Sequence, residues 1–111
     1  MNYLIGIDVG TSSTKAILID ENGKVMLTES EKYPMYQPHN GWAEQKPEDW
    51  WEQTRIGLKE LLTDADKEQV AGISFGGQMH GLVVLDAQDQ VIRPAILWND
   101  GRTGEEGDYL N

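Results

Sequence analysis

The stretch from Tyr3 to Asp20 constrains the fold most. An apolar run, Tyr3-Leu4-Ile5 with Ile7, leads into Asp8-Val9-Gly10; four hydroxyl residues, Thr11-Ser12-Ser13-Thr14, and Lys15 follow, and a second apolar run, Ala16-Ile17-Leu18-Ile19, begins at once. Two short apolar runs around a Gly/Ser/Thr-rich link read as two strands and a tight turn. Such a turn crowds backbone N–H groups and hydroxyls together, which suits a polyanion such as the phosphates of a nucleotide. A Walker-type loop is excluded, because the Gly-Lys-Ser/Thr ending is missing and a strand follows in place of a helix. The plainer alternative is an ordinary hairpin in which Asp8 and Ser12 bond their own backbone.

Farther along, Asp20-Glu21-Asn22-Gly23-Lys24 places Asn-Gly between apolar runs, a hairpin signal that asks for positive φ at both central residues. A third, alternating strand is expected from Val25 to about Tyr33. Pro34 to Gln45 reads as a connection. Pro47-Glu48-Asp49 opens a helix, with proline in the first turn and two acids at the positive end of the helix dipole. Trp51, Leu58 and Leu62, flanked by Trp50 and Leu61, recur at helical spacing through about Thr63. The tryptophans are expected in the core, and Gly57 is expected to let the helix approach a sheet closely. After a polar loop, Gln69 to Phe75 has the small, apolar profile of a buried parallel strand that ends in Gly76-Gly77-Gln78-Met79-His80-Gly81. Leu82 to Asp86 and Ile92 to Trp98 read as two further strands joined near Asp89-Gln90. Asn99 to Thr103 caps and begins a last helix.

The β-β-β-α-β order makes this an α/β chain with three antiparallel strands extended by a parallel one. In open sheets of that kind the ligand sits beyond the strand ends. The loops after the first strand and after the parallel strand are therefore expected on one edge, with Asp8, Thr11, Ser12 and Ser13 near Gln78, Met79 and His80.

Composition bears on partners. A formal net charge of -10 repels nucleic-acid backbones and anionic membranes, so an anionic ligand has to be held by a local patch. The chain has no cysteine, so neither disulfides nor thiolate metal sites arise, as fits the cytoplasm. No signal peptide is evident at Met1-Asn2-Tyr3. No run reaches the ~18 apolar residues of a membrane span. The 111 residues suffice for one domain. Asp108-Tyr109-Leu110-Asn111 stop inside a helix-like segment, which reads as a piece of a longer protein.

Three separated segments resemble a known family. Asp8-Val9-Gly10-Thr11-Ser12-Ser13-Thr14-Lys15, Gly41-Trp42-Ala43-Glu44-Gln45-Lys46-Pro47-Glu48-Asp49-Trp50-Trp51, and Gly77-Gln78-Met79-His80-Gly81 with Trp98-Asn99-Asp100-Gly101-Arg102-Thr103 are similar to the amino-terminal part of the FGGY carbohydrate kinases. The last pair looks most like the members that act on xylulose. The resemblance implies a ribonuclease-H-like, actin-like ATPase fold and half of a two-domain enzyme that closes over sugar and ATP. It implies transfer of the γ-phosphoryl of ATP to a ketose hydroxyl, D-xylulose to D-xylulose 5-phosphate, with Mg²⁺.

By that resemblance, Gly10, Thr11, Ser12, Ser13 and Lys15 contact nucleotide phosphates, and Asp8 faces the metal and phosphate region. Gln78, Met79, His80 and Trp98 belong to the sugar side, and Asp100 and Arg102 are assigned there with them. The family's catalytic base is an aspartate far downstream that this chain does not reach, so little or no activity is expected of the chain alone. A gluconokinase is the nearest rival within the family. A ribonuclease-H-like nuclease would need a carboxylate cluster for two metals. A non-catalytic actin-like nucleotide-binding module, or a fragment that self-associates into a homo-oligomer through uncovered faces, completes the alternatives.

Overall fold

Ile5 and Ile7 alternate with Leu4, Gly6 and Asp8, and this two-residue period sets one face of a sheet against a helix. The computed structural model describes residues 2–110. In chain order it contains β1 (Tyr3–Val9), β2 (Ser13–Ile19), β3 (Val25–Lys32), β4 (Glu44–Gln45), α1 (Pro47–Thr63), a 3₁₀ turn (Lys67–Gln69), β5 (Val70–Gly77), β6 (Ala95–Ile96) and α2 (Gly104–Leu110). The chain divides into two units, Met1–Tyr33 with Glu48–Gln78 and Pro34–Pro47 with Met79–Asn111. Each is described by itself.

The first unit is a four-stranded sheet in the order β3-β2-β1-β5, antiparallel except for the β1–β5 pair. The expected three antiparallel strands extended by a parallel one are therefore present. Ile5, Ile7, Ala16 and Leu18 pack with Leu61 of α1, and Leu27, Leu58 and Leu62 seal the margin. β2 begins at Ser13, so the link between the first strands is only Gly10-Thr11-Ser12. Ser13, Thr14 and Lys15 lie in the strand, Ser13 also closing the turn by accepting from Gly10 N–H, and Thr14 points inward, where its hydroxyl meets that of Thr54 at 3.1 Å.

Helix α1 starts and stops where proline, the two acids and Thr63 place it; of the two tryptophans expected in the core, Trp50 is half-buried and Trp51 is not buried. Trp51 is 69% exposed, and the buried positions are Thr54, Gly57 and Leu61. The helix approaches β3 through its small residues: a Cβ on Gly57 would lie 3.5 Å from Cγ of Glu31. Trp51 is thereby left outward. β5 is parallel to β1 as expected but is not buried; it is the edge strand of the sheet, and Ile73 and Phe75 are exposed.

The Asp20–Lys24 turn also differs from expectation. Only Gly23 takes positive φ (83°), because this is a three-residue loop closed by Gly23 N–H to Asp20 O (3.1 Å) and Asp20 N–H to Lys24 O (3.0 Å). The Asp20 carboxylate accepts from Asn22 N–H and Lys24 N–H at 2.8 and 2.9 Å. A type I turn followed by a left-handed glycine is the common three-residue hairpin.

In the second unit β4 pairs with β6 through Glu44↔Ile96 and Gln45↔Ala95, and single bridges extend the row to Tyr36 and Leu82. The two long strands expected between Leu82 and Trp98 are reduced to β6 and the bridges Leu82↔Ile96 and Leu85↔Val91. Pro94 has no N–H to give, and those two bridges are out of step with each other, so no continuous ladder forms. The last helix begins later than expected, at Gly104, with the Thr103 carbonyl accepting from Gly107 N–H at 2.9 Å. The final position of that expectation, Asn111, lies outside the described residues.

Candidate functional site

The parallel register of β1 and β5 pairs Val9 with Gly77, so the chain leaves both strands at one edge of the sheet. Gln78 N–H donates to Val9 O at 3.0 Å, and Thr11 Oγ1 donates to Gln78 Oε1 at 3.5 Å. The turn after β1 and the first residue after β5 thus meet. Gly77 makes this possible: a Cβ there would stand 3.0 Å from the Val9 carbonyl oxygen. Gly10 has a similar reason, since its Cβ would lie 3.2 Å from Ser13 O, to which its own N–H donates at 2.9 Å.

Asp8 and Lys15 are direct partners across the β1–β2 pair and both are exposed. Side chains so paired share one face of the sheet with Cβ atoms about 5 Å apart. Together with Gly6, Ile17, Ser74 and Gly76 they line a shallow cavity of ≈ 320 Å³. The absence of side chains at Gly6 and Gly76 keeps that surface low. One carboxylate and one ammonium share this face, next in the chain to the hydroxyl-bearing turn. Tyr33 supports the turn from the inside, its hydroxyl on the Gly10 carbonyl and 3.0 Å from Ser13 O. Burial, and secondarily the charge of Asp8, push the Tyr33 phenol up to about 12, so the hydroxyl stays protonated.

The second unit holds Met79, His80, Trp98, Asp100 and Arg102. Met79, His80 and Trp98 are exposed. His80 has φ 60°, a left-handed conformation that a histidine adopts only at a cost of order 1–3 kcal/mol and that gathers at functional sites. His80 and Trp98 each lie two residues beyond the bridged pair Leu82↔Ile96.

Asp100 and Arg102 are engaged with each other. The guanidinium forks onto the carboxylate at 2.9 and 2.7 Å and also reaches Glu44 at 2.7 Å, while Asp100 accepts from Ala43 N–H at 2.6 Å. The Asp100 side chain is 1% exposed. The Arg102 guanidinium, helped by the backbone N–H groups of Arg102 and Ala43, holds the Asp100 carboxyl far below its ordinary range despite its burial. Arg93 pairs with the same Glu44. In this unit the pair ties the Gly41–Glu44 segment to the loop after β6, a role that Glu44 and Trp42 share and that spacing alone does not disclose.

The sequence model of the FGGY family of carbohydrate kinases, N-terminal domain, matches residues 3–111. The chain belongs to the FGGY family of carbohydrate kinases. Among curated FGGY relatives, the xylulose kinase of Bacillus subtilis (strain 168) is 52% identical over 105 residues, 93% of this chain and 21% of that protein. The gluconokinase of the same organism is 37% identical over 102 residues, 92% of this chain and 20% of that protein. A solved xyloylose kinase from Brucella ovis superposes with a TM-score of 0.93 at 40% identity, covering 98% of this chain and 23% of that one. The fold is thus that of the FGGY kinases, the actin-like, ribonuclease-H-like ATPase fold. The chain spans about a fifth of the length of the curated relatives it matches.

Proposed function

We propose that this chain supplies the phosphate-side hairpin and the sugar-side loops of an ATP-dependent ketose kinase that converts D-xylulose to D-xylulose 5-phosphate. The observation that carries the reading is the Asp8–Lys15 cross-strand pair at the edge where β1 and β5 end together. Phosphoryl transfer asks a protein mainly for positioning and for neutralising charge on the transferred group. A sugar hydroxyl oxygen forms the new bond to the γ-phosphorus as the bond to the bridging oxygen of the departing ADP breaks.

Lys15 acts as a point charge toward the phosphates, and Gly10, Thr11, Ser12 and Ser13 offer backbone and hydroxyl donors. Asp8 fits Mg²⁺, which keeps several waters and takes one or two carboxylates beside the phosphates. Among the described residues no cluster of three or more His, Asp or Glu side chains could enclose a metal ion, so a single carboxylate with water and phosphate is the arrangement the chain offers. Bound there, Mg²⁺ would neutralise phosphate charge. Gln78, Met79, His80 and Trp98 serve the sugar, and Asp100 with Arg102 frames that side.

The general base and the adenine-binding half come from a longer chain of which these residues form the amino-terminal part. ATP is the co-substrate, and we assign the enzyme to the cytoplasm, where ATP is made. Similarity to a gluconokinase favours gluconate as the second reading. The test joins residues 1–111 to the remaining length of the Bacillus subtilis xylulose kinase and offers ATP with a panel of sugars. Preference for D-xylulose is expected, with little or no turnover by the 111-residue chain alone. Preference for gluconate would shift the reading to the second substrate, and ATP binding without any turnover would replace it with a nucleotide-binding module. Sedimentation of the isolated chain is expected to show self-association through exposed Ile73 and Phe75; a monomer at all concentrations would refute that part.

A further inference from the structure

We propose that Tyr33 is the positioning residue that sets the Gly10–Ser13 turn for a polyphosphate, an inference that rests on reading this turn as the phosphate side of the kinase. Tyr33 is 6% exposed and follows directly on β3, far from the turn in sequence. It meets three of the turn's carbonyl groups. Its hydroxyl donates to Gly10 O, with Ser13 O at 3.0 Å as the alternative acceptor of the same proton, and its backbone N–H donates to Ser12 O at 3.3 Å.

Carbonyl oxygens repel phosphate, so a turn that binds one has to face them elsewhere. In a planar trans peptide the C=O and the following N–H point in opposite directions. With Gly10 O and Ser12 O drawn onto Tyr33, the N–H groups of Thr11 and Ser13 are directed away from it. That is the polarity an anion-binding turn needs. Ser13 O also accepts from Gly10 N–H at 2.9 Å, so the phenol braces a loop that is already closed. Deleting the hydroxyl leaves the ring in place and removes only this orienting contact.

The experiment uses residues 1–111 joined to the remaining length of the Bacillus subtilis xylulose kinase, unaltered or carrying Tyr33→Phe or Lys15→Ala, with tripolyphosphate and Mg²⁺ as the titrant in calorimetry and thermal unfolding as the control. Wild type is expected to bind, Lys15→Ala to lose binding, and Tyr33→Phe to bind roughly tenfold more weakly, the order of one hydrogen bond, at an almost unchanged melting temperature. Equal affinity of wild type and a folded Tyr33→Phe would overturn the proposal and leave the phosphate reading intact. Absence of saturable binding by wild type would overturn the phosphate reading and this inference with it. Amide ¹⁵N–¹H spectra without titrant give an independent check: Tyr33→Phe is expected to shift Gly10 to Ser13, and unchanged resonances there would sink the proposal.

Discussion

The Arg102 guanidinium lies over the face of the Trp42 indole, its central carbon 3.7 Å from the ring centroid. The same indole meets the His39 ring, with centroids 4.3 Å apart and planes at 70°. Arg102 therefore does three things at once: it stacks on Trp42, forks onto Asp100 and reaches Glu44. Only a planar, delocalised cation can lie flat on the indole and fork onto a carboxylate together; an ammonium can sit over a ring but offers neither the flat stack nor the fork.

Arg102→Ala should accordingly destabilise the chain in urea unfolding, because it leaves the buried Asp100 carboxylate without its counter-charge. The loss should be several times that of Arg55→Ala, whose partner Glu52 is half exposed and stays solvated when the ion pair is gone. Arg102→Lys should recover less than half of the loss, because charge alone does not restore the stack and the fork. Equal losses for Arg102→Ala and Arg55→Ala would show that the network holds nothing together.

Asp100 gives the same network a pH dependence. Its folded-state pKa is depressed, chiefly by Arg102, so its contribution is present above the ordinary value of 3.8 and drains away as pH falls toward the folded value. Melting temperature should fall more steeply below about pH 4 in the wild type than in Asp100→Asn, which begins lower at neutral pH and carries no such titration. Parallel profiles for the two proteins would contradict this.

Two glycines should respond to alanine in opposite directions. At Gly77 the added methyl would stand 3.0 Å from a backbone oxygen that cannot swing aside, so Gly77→Ala should destabilise by about 1–3 kcal/mol. At Gly57 the nearest atom is the flexible side chain of Glu31 at 3.5 Å, an ordinary contact. Gly57→Ala should therefore stabilise by up to about 1 kcal/mol through helix propensity. Urea unfolding of both variants checks the signs, and a shared sign would refute the packing argument for one of them.

One turn design is used twice. Asp86 accepts from Gln88 N–H and Gln90 N–H at 2.8 and 2.9 Å, and Asp89 N–H donates to Asp86 O at 3.0 Å, repeating the Asp20–Lys24 turn bond for bond. The left-handed place is held by Gly23 in one and by Asp89, φ 62°, in the other. Gly23→Ala should cost about 1–2 kcal/mol, the penalty for a Cβ in that conformation. Asp89→Gly should be neutral to slightly stabilising. Chemical denaturation of the two variants is the check, and a loss of more than about 1 kcal/mol for Asp89→Gly would break the equivalence.

The sheet is readable from the sequence because its strands are contiguous apolar runs, and α1 because Pro47, Glu48 and Asp49 signal a start that needs no tertiary knowledge. Trp51 misleads because its bulk suggests burial, whereas this helix packs through Thr54 and Gly57. β5 has the composition of a buried strand, but composition does not reveal whether a neighbour covers it. β4 and β6, two residues each, are too short to leave a periodic signal. The gathering of Asp8, the Gly10 turn, Lys15 and Gln78 follows from topology. The parts Tyr33, Glu44 and Trp42 play do not, since each depends on contacts between residues distant in the chain.

Asp8 and Lys15 reside on two strands connected by a single short loop, whereas Ser74 and Gly76 come from the exposed edge strand. A strand with one partner and little covered surface is the first to detach in a sub-global opening. When it does, the carboxylate and the ammonium remain in register on their own hairpin. In the 111-residue chain by itself, breathing at the sheet margin would therefore reshape the wall of the cavity without parting its two charges, and hydrogen exchange should be fast in β5 while β1 and β2 stay protected toward each other.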